Sequence, residues 1–152
     1  RSLMGDEVWN SYYKFTIERD PWDRALSRYY WQKQRWEEKP RKEGFPGISQ
    51  YLQWLEKNKP HWLSNWGHYT IGDVVAVDRV LRYERLAEEL EEVREHLGLD
   101  VSFKLPETRA KGGFRPQRRP YAEVLGDQDR QLIENLCRRE IEYLGYSFGA
   151  AA

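Results

Sequence analysis

The stretch Tyr12-Tyr-Lys-Phe-Thr-Ile-Glu-Arg-Asp-Pro-Trp-Asp-Arg-Ala-Leu-Ser-Arg-Tyr-Tyr30 decides how this chain is read, because it sets an alternating segment directly against a helix start. From Tyr13 to Arg19 the odd positions are Tyr13, Phe15, Ile17 and Arg19, and the even ones are Lys14, Thr16 and Glu18. That is the period-2 alternation of a half-buried strand. Asp20 then suits an N-cap, Pro21 the first helical position, where no amide donor is needed, and Asp23 the place of a capping-box acid. Trp22, Leu26, Tyr29, Tyr30 and Trp36 recur at helical spacing and predict the inward stripe, with Arg24 and Arg28 lying elsewhere. In open α/β sheets ligands bind beyond the carboxyl ends of strands, and helix N-termini there attract anions. Arg19 therefore marks an expected phosphate site, with Ser27, about two turns into the helix, as a second donor. An ordinary capped helix carries the same signature, so the string by itself leaves both readings open.

A second unit follows from Val74 to Leu99. Its β-branched apolar run predicts a strand, and Leu86, Leu90, Val93 and Leu97 mark one face of a helix closed by Gly98. Tyr83 falls at the strand end, where packing in the core is the plain alternative to a binding role. Between Lys104 and Arg119 six cations (Lys104, Arg109, Lys111, Arg115, Arg118 and Arg119) face one acid, Glu107, around Gly112-Gly113, a local net charge of +5. Such a loop is either a solvated basic loop, a nucleic-acid contact or a clamp for a smaller anion. A final amphipathic helix is expected over Asp127 to Leu144.

Together these elements resemble the sulfotransferases that use 3′-phosphoadenosine 5′-phosphosulfate, in particular bacterial and carbohydrate-type members. Arg19-Asp-Pro-x-x-Arg-x-x-Ser27-x-Tyr resembles the family's 3′-phosphate-binding element, Tyr83-Glu84-Arg85-Leu86 its Tyr-Glu-x-Leu element, and the basic loop its Arg-Lys-Gly loop, here with Ala110 inserted. The resemblance implies an α/β fold, three-layered and P-loop-like around a parallel sheet, in a partial, helix-rich version. It implies that Arg19 and Ser27 grip the 3′-phosphate, that Tyr83 lies on the adenine, and that Lys111, Arg118 and Arg119 close over the phosphate. The implied partners are a nucleotide donor and a hydroxyl acceptor, a glycan first and a small phenol or alcohol next. A noncatalytic relative binding the same nucleotide, or a basic-loop module for acidic polymers, are the alternatives.

The family's 5′-phosphosulfate loop and its His or Glu base precede the Arg-Asp-Pro element, and only 18 residues precede Arg19 here. Residues 1–152 are accordingly expected to form a single domain truncated at its N-terminus, with the catalytic residues unknown. His61 and His68 lie after Arg19, and His96 ends an acidic helix as a partner for its dipole.

Composition narrows the classes. The 25 basic and 25 acidic residues cancel, which argues against a nucleic-acid protein, and the acids concentrate between Glu84 and Asp100. No 18-residue apolar run is present, so no membrane span is expected. Neither a signal peptide nor metal-ligand spacing is visible, and the lone Cys137 reads as a buried, inert thiol. With bacterial-type membership this points to the cytoplasm. Aromatic residues crowd the region from Tyr29 to Tyr69 around a short helix of Ile48 to Lys57, mostly as core, with Trp62 and Trp66 as candidate platforms for an acceptor. The loop Lys39 to Gly47 is a candidate acceptor contact.

Overall fold

Strand β1 (Phe15–Glu18) runs parallel to β4 (Arg79–Arg82), with Ile17 opposite Leu81 and Glu18 opposite Arg82. Asp78 aligns the two starts: its carboxylate accepts the Lys14 backbone N–H at 2.7 Å and pairs with the Lys14 ammonium at 2.8 Å. The computed structural model describes residues 3, 5–38, 43–101, 103, 105 and 119–150.

In chain order the elements are α1 (Asp6–Ser11), β1, α2 (Pro21–Glu37), α3 (Ile48–Asn58), α4 (Trp66–Tyr69), β2 (Thr70–Ile71), β3 (Val74–Val75), β4, α5 (Leu86–His96), α6 (Asp127–Leu136) and α7 (Arg138–Leu144). The described residues thus form a helix-rich α/β structure whose one parallel pair is β1 and β4. Helix α2 begins as its sequence dictates, since the Asp20 carboxylate accepts the backbone N–H groups of Trp22 and Asp23 and Pro21 follows it. Pro21, Trp22, Ala25, Leu26 and Tyr29 are its buried residues, and α3 and α6 close the main core with Tyr51, Leu52, Leu55, Leu132 and Ile133. Burying this apolar area is the chief source of stability. Phe45, on the described part of the 39–47 loop, packs among Tyr29, Trp36 and Tyr51.

Three expectations are corrected. The alternation in β1 has the opposite phase: Phe15 and Ile17 are 41% and 43% exposed, while Glu18 is 0% exposed. Alternation shows which residues share a face, and here a buried charge partner, not apolarity, selects the core face. The run from Val74 to Arg82 is two strands rather than one. Val74 and Val75 pair antiparallel with β2, and Asp78, drawn to Lys14, lies at the bend before β4. The C-terminal helix is broken at Cys137, whose backbone (φ −109°, ψ 21°) leaves the helical region. The break accompanies the seating of Cys137 on the Leu63 carbonyl (3.3 Å) and of Glu140 on the turn at Ser64 to Trp66. Cys137 is a free, buried thiol, and burial pushes its pKa up to about 12, so it is the inert thiol expected.

Candidate functional site

Arg19 immediately follows the carboxyl end of β1, and four contacts fix its guanidinium. Nε donates to Asp23 Oδ2 at 2.8 Å, Nη2 donates to the same oxygen, Nη1 lies 3.4 Å from Ser27 Oγ, and the Tyr83 ring centroid is 4.8 Å from Cζ. Asp23 and Ser27 share a helix face because they are four residues apart, one turn of α2. Tyr83 arrives from the turn after β4, the strand beside β1, and is 46% exposed. Arg19, Ser27 and Tyr83, three expected site residues from two chain segments, therefore meet at one point beyond the carboxyl ends of the parallel strands.

The backbone beneath is held as firmly. The Asp20 N–H donates to Glu84 Oε1 at 2.8 Å, and Glu84 Oε2 accepts the Tyr146 hydroxyl at 3.0 Å. Asp20 Oδ2 accepts the Tyr121 hydroxyl at 2.9 Å, which in turn accepts the Gly149 N–H at 3.1 Å. Burial raises the Asp20 pKa, against the lowering effect of its bonds from Asp23, Tyr121 and Trp22. Burial, the nearby Glu84 charge and the bond to it raise that of Tyr146, so this hydroxyl is a donor throughout the ordinary pH range.

The first-turn amides of Trp22 and Asp23 are already committed to Asp20. Among the described residues, the donors that remain here for a ligand are the further N–H groups of the Arg19 guanidinium and the Ser27 hydroxyl, beside an aromatic ring. That set suits an anion carrying a planar base.

Lys111 and Arg118 lie outside the described residues. Arg119 is exposed, two positions before Tyr121, so the chain leaving the basic loop returns to Asp20. His61 and His68 are exposed, and the His96 ring lies 4.8 Å from that of Tyr13. Trp62 carries Arg28 and Lys59 over its ring, at 4.3 and 4.0 Å, and Trp66 meets Tyr69 and Tyr143 edge-on. A cleft of about 520 Å³ lined by Trp9, His68, Ile71 and Val77 lies at the amino ends of the strands, the end opposite Arg19. Among the described residues no group of three side chains is placed to hold a metal ion.

Sequence reasoning missed Asp23 as the ligand of Arg19, because the capping-box place predicts that it bonds back to Asp20. It also missed Glu84 as the acceptor for Asp20, although Glu84 stands within the Tyr83-Glu84-Arg85-Leu86 string. Tyr121 and Tyr146 carried no signal beyond their aromatic character.

A protein-family model described as the Sulfotransferase family matches residues 2–147. The chain belongs to the sulfotransferase family. Comparisons with curated proteins and with solved structures give no significant match. The sulfotransferase match spans both strand-to-helix junctions that build the Arg19 site, as well as the C-terminal segment that packs on it. It supports sulfuryl transfer as the general activity, a transferase reaction needing a sulfonate donor and an acceptor. No helix among the described residues is long and apolar enough to cross a membrane.

Proposed function

We propose that this sulfotransferase-family chain binds the nucleotide of 3′-phosphoadenosine 5′-phosphosulfate, and that the sulfuryl group passes to an acceptor hydroxyl, with a glycan favoured by the C-terminal resemblance. The observation that carries this reading is the convergence of Arg19, Ser27 and Tyr83. Arg19 and Ser27 supply two donors to the 3′-phosphate, and the half-exposed Tyr83 ring receives the adenine. Lys111, Arg118 and Arg119 complete the phosphate contacts on this reading. In the transfer the bond from sulfur to the bridging phosphate oxygen breaks, one from sulfur to the acceptor oxygen forms, and the acceptor proton passes to a base. Adenosine 3′,5′-bisphosphate is left. The residues named here bind and orient the nucleotide, within the three-layer, P-loop-like fold that this reading entails.

Calorimetric titration with adenosine 3′,5′-bisphosphate tests the reading. One charge-assisted phosphate contact contributes about 1.5 to 3 kcal/mol, so Arg19→Ala should weaken binding roughly 10- to 100-fold. Unchanged affinity in that variant would overturn it.

A further inference from the structure

Two ion pairs are nested at the junction between β1 and α2. Arg19 pairs with Asp23 on the side of the candidate site, and Glu18 pairs with Arg24 on the buried side. The signs alternate: Glu18 ends the strand and Arg19 follows it, Asp23 and Arg24 lie in the first turns of the helix, and each of the first two takes the oppositely charged helix residue.

The inner pair reaches further than its two residues. Glu18 Oε1 also accepts Asn65 Nδ2 at 3.1 Å and the Arg19 N–H at 3.1 Å. Arg24 donates to the Leu63 carbonyl, lies 3.6 Å from Cys137 Sγ and is 3.9 Å from the fully buried Glu140. Glu140 in turn accepts the Ser64 hydroxyl at 2.6 Å and the N–H groups of Asn65 and Trp66 at 2.9 and 3.1 Å. The inner pair thus joins β1, α2, the segment 63–66 and the break between α6 and α7. Anchoring Glu18 inward places the adjoining Arg19, whose backbone N–H the same carboxylate holds, and anchoring Arg24 fixes the adjoining Asp23 that holds the Arg19 guanidinium.

We propose that the Glu18–Arg24 pair is a positioning element for the anion site, setting the strand-to-helix angle at which Arg19, Asp23 and Ser27 meet. This rests on the nucleotide reading above. Buried ion pairs give little net stability over an apolar pair of similar volume, so a geometric role accounts for two charges at this place better than stability does.

The test is a mutant cycle on affinity for adenosine 3′,5′-bisphosphate. Its members are the wild type, Arg19→Ala, the paired replacement Glu18→Leu with Arg24→Met, and all three substitutions together. The paired replacement removes both charges of the pair at once, so that neither Glu18 nor Arg24 is left facing an apolar partner, while Glu140 keeps its bonds from Ser64, Asn65 and Trp66. If it acts through Arg19, it weakens binding about tenfold when Arg19 is present and less than about twofold when Arg19→Ala is already in place, since residues in one network couple and distant ones add. Equal weakening in both backgrounds, or none in either, overturns the positioning role. Glu18→Gln, which keeps shape and removes one charge, is carried through the same cycle, so that misfolding of the paired variant still leaves a decisive result. Should Arg19→Ala by itself have no effect on affinity, the nucleotide reading fails instead, which separates the two outcomes.

Discussion

Arg24→Met is expected to lower the thermal midpoint by roughly 6 to 20 °C. Removing one partner of a buried ion pair costs about 3 to 5 kcal/mol, and a domain of this size loses about 2 to 4 °C per kcal/mol. Here one guanidinium serves two carboxylates, Glu18 and Glu140, which are 0% and 1% exposed. Its loss also leaves the buried Leu63 carbonyl without its Arg24 donor. The pH dependence follows from Glu18, whose pKa burial raises against the lowering pull of Arg24 and of the hydrogen bonds donated by the Arg19 backbone N–H and the Asn65 side chain, with Glu140 adding a further upward push. Without Arg24 the folded-state value climbs further above the unfolded one. Protonated Glu18 then favours the fold below the unfolded carboxylate value near about pH 4, and this contribution is lost as the pH rises through the folded value. The deficit of Arg24→Met relative to wild type should therefore be smallest in acid and grow toward neutral pH. Thermal melts of both proteins between about pH 4 and pH 8 check this, and a deficit independent of pH would contradict it.

The same cluster explains what was legible in the chain and what was not. Asp20 and Pro21 announce the start of α2 through local chemistry alone, and the structure shows that cap in place. Arg19, Ser27 and Tyr83 meet because the first two stand at fixed places around one junction and Tyr83 at the end of the neighbouring strand. Spacing and strand order suffice to bring them together. Glu18 illustrates the opposite case. Its burial depends on Arg24, six residues on, and on Asn65, 47 residues on, and no local period encodes either contact. The apolar Phe15 and Ile17 made the odd face look like the core face, yet they are the exposed ones. The break at Cys137 has no Gly or Pro to announce it. It goes with contacts to Leu63, Arg24 and the turn bound by Glu140, all from distant sequence. What failed to show in the sequence is thus mainly a polar network buried behind the site, where tertiary partners override patterning.

Trp22→Ala is expected to cost about 3 to 5 kcal/mol, comparable to Arg24→Met but without its pH dependence. Trp22 is 1% exposed at the start of α2, and it joins two parts of the molecule. On one side it belongs to the core with Ala25, Leu52 and Ile133. On the other it stacks on Tyr121 (centroids 6.2 Å apart, planes at 17°) and receives Phe148 edge-on at 5.5 Å. Truncation opens a cavity and removes the platform under Tyr121, whose hydroxyl reaches Asp20 at 2.9 Å. Two controls divide the loss. Tyr121→Phe deletes only that hydroxyl and should cost about 0.5 to 1.5 kcal/mol. Trp22→Phe keeps an aromatic ring and also removes an indole N–H that is buried without a partner among the described residues, so its cost should be a fraction of that of alanine. Urea titrations of the three variants measure the order directly. The expected ranking places Trp22→Ala far below the other two, with the slope of each transition unchanged. A Trp22→Ala protein within about 1 kcal/mol of wild type would mean that the C-terminal segment repacks to fill the space, and the junction at Asp20 would then owe little to Trp22.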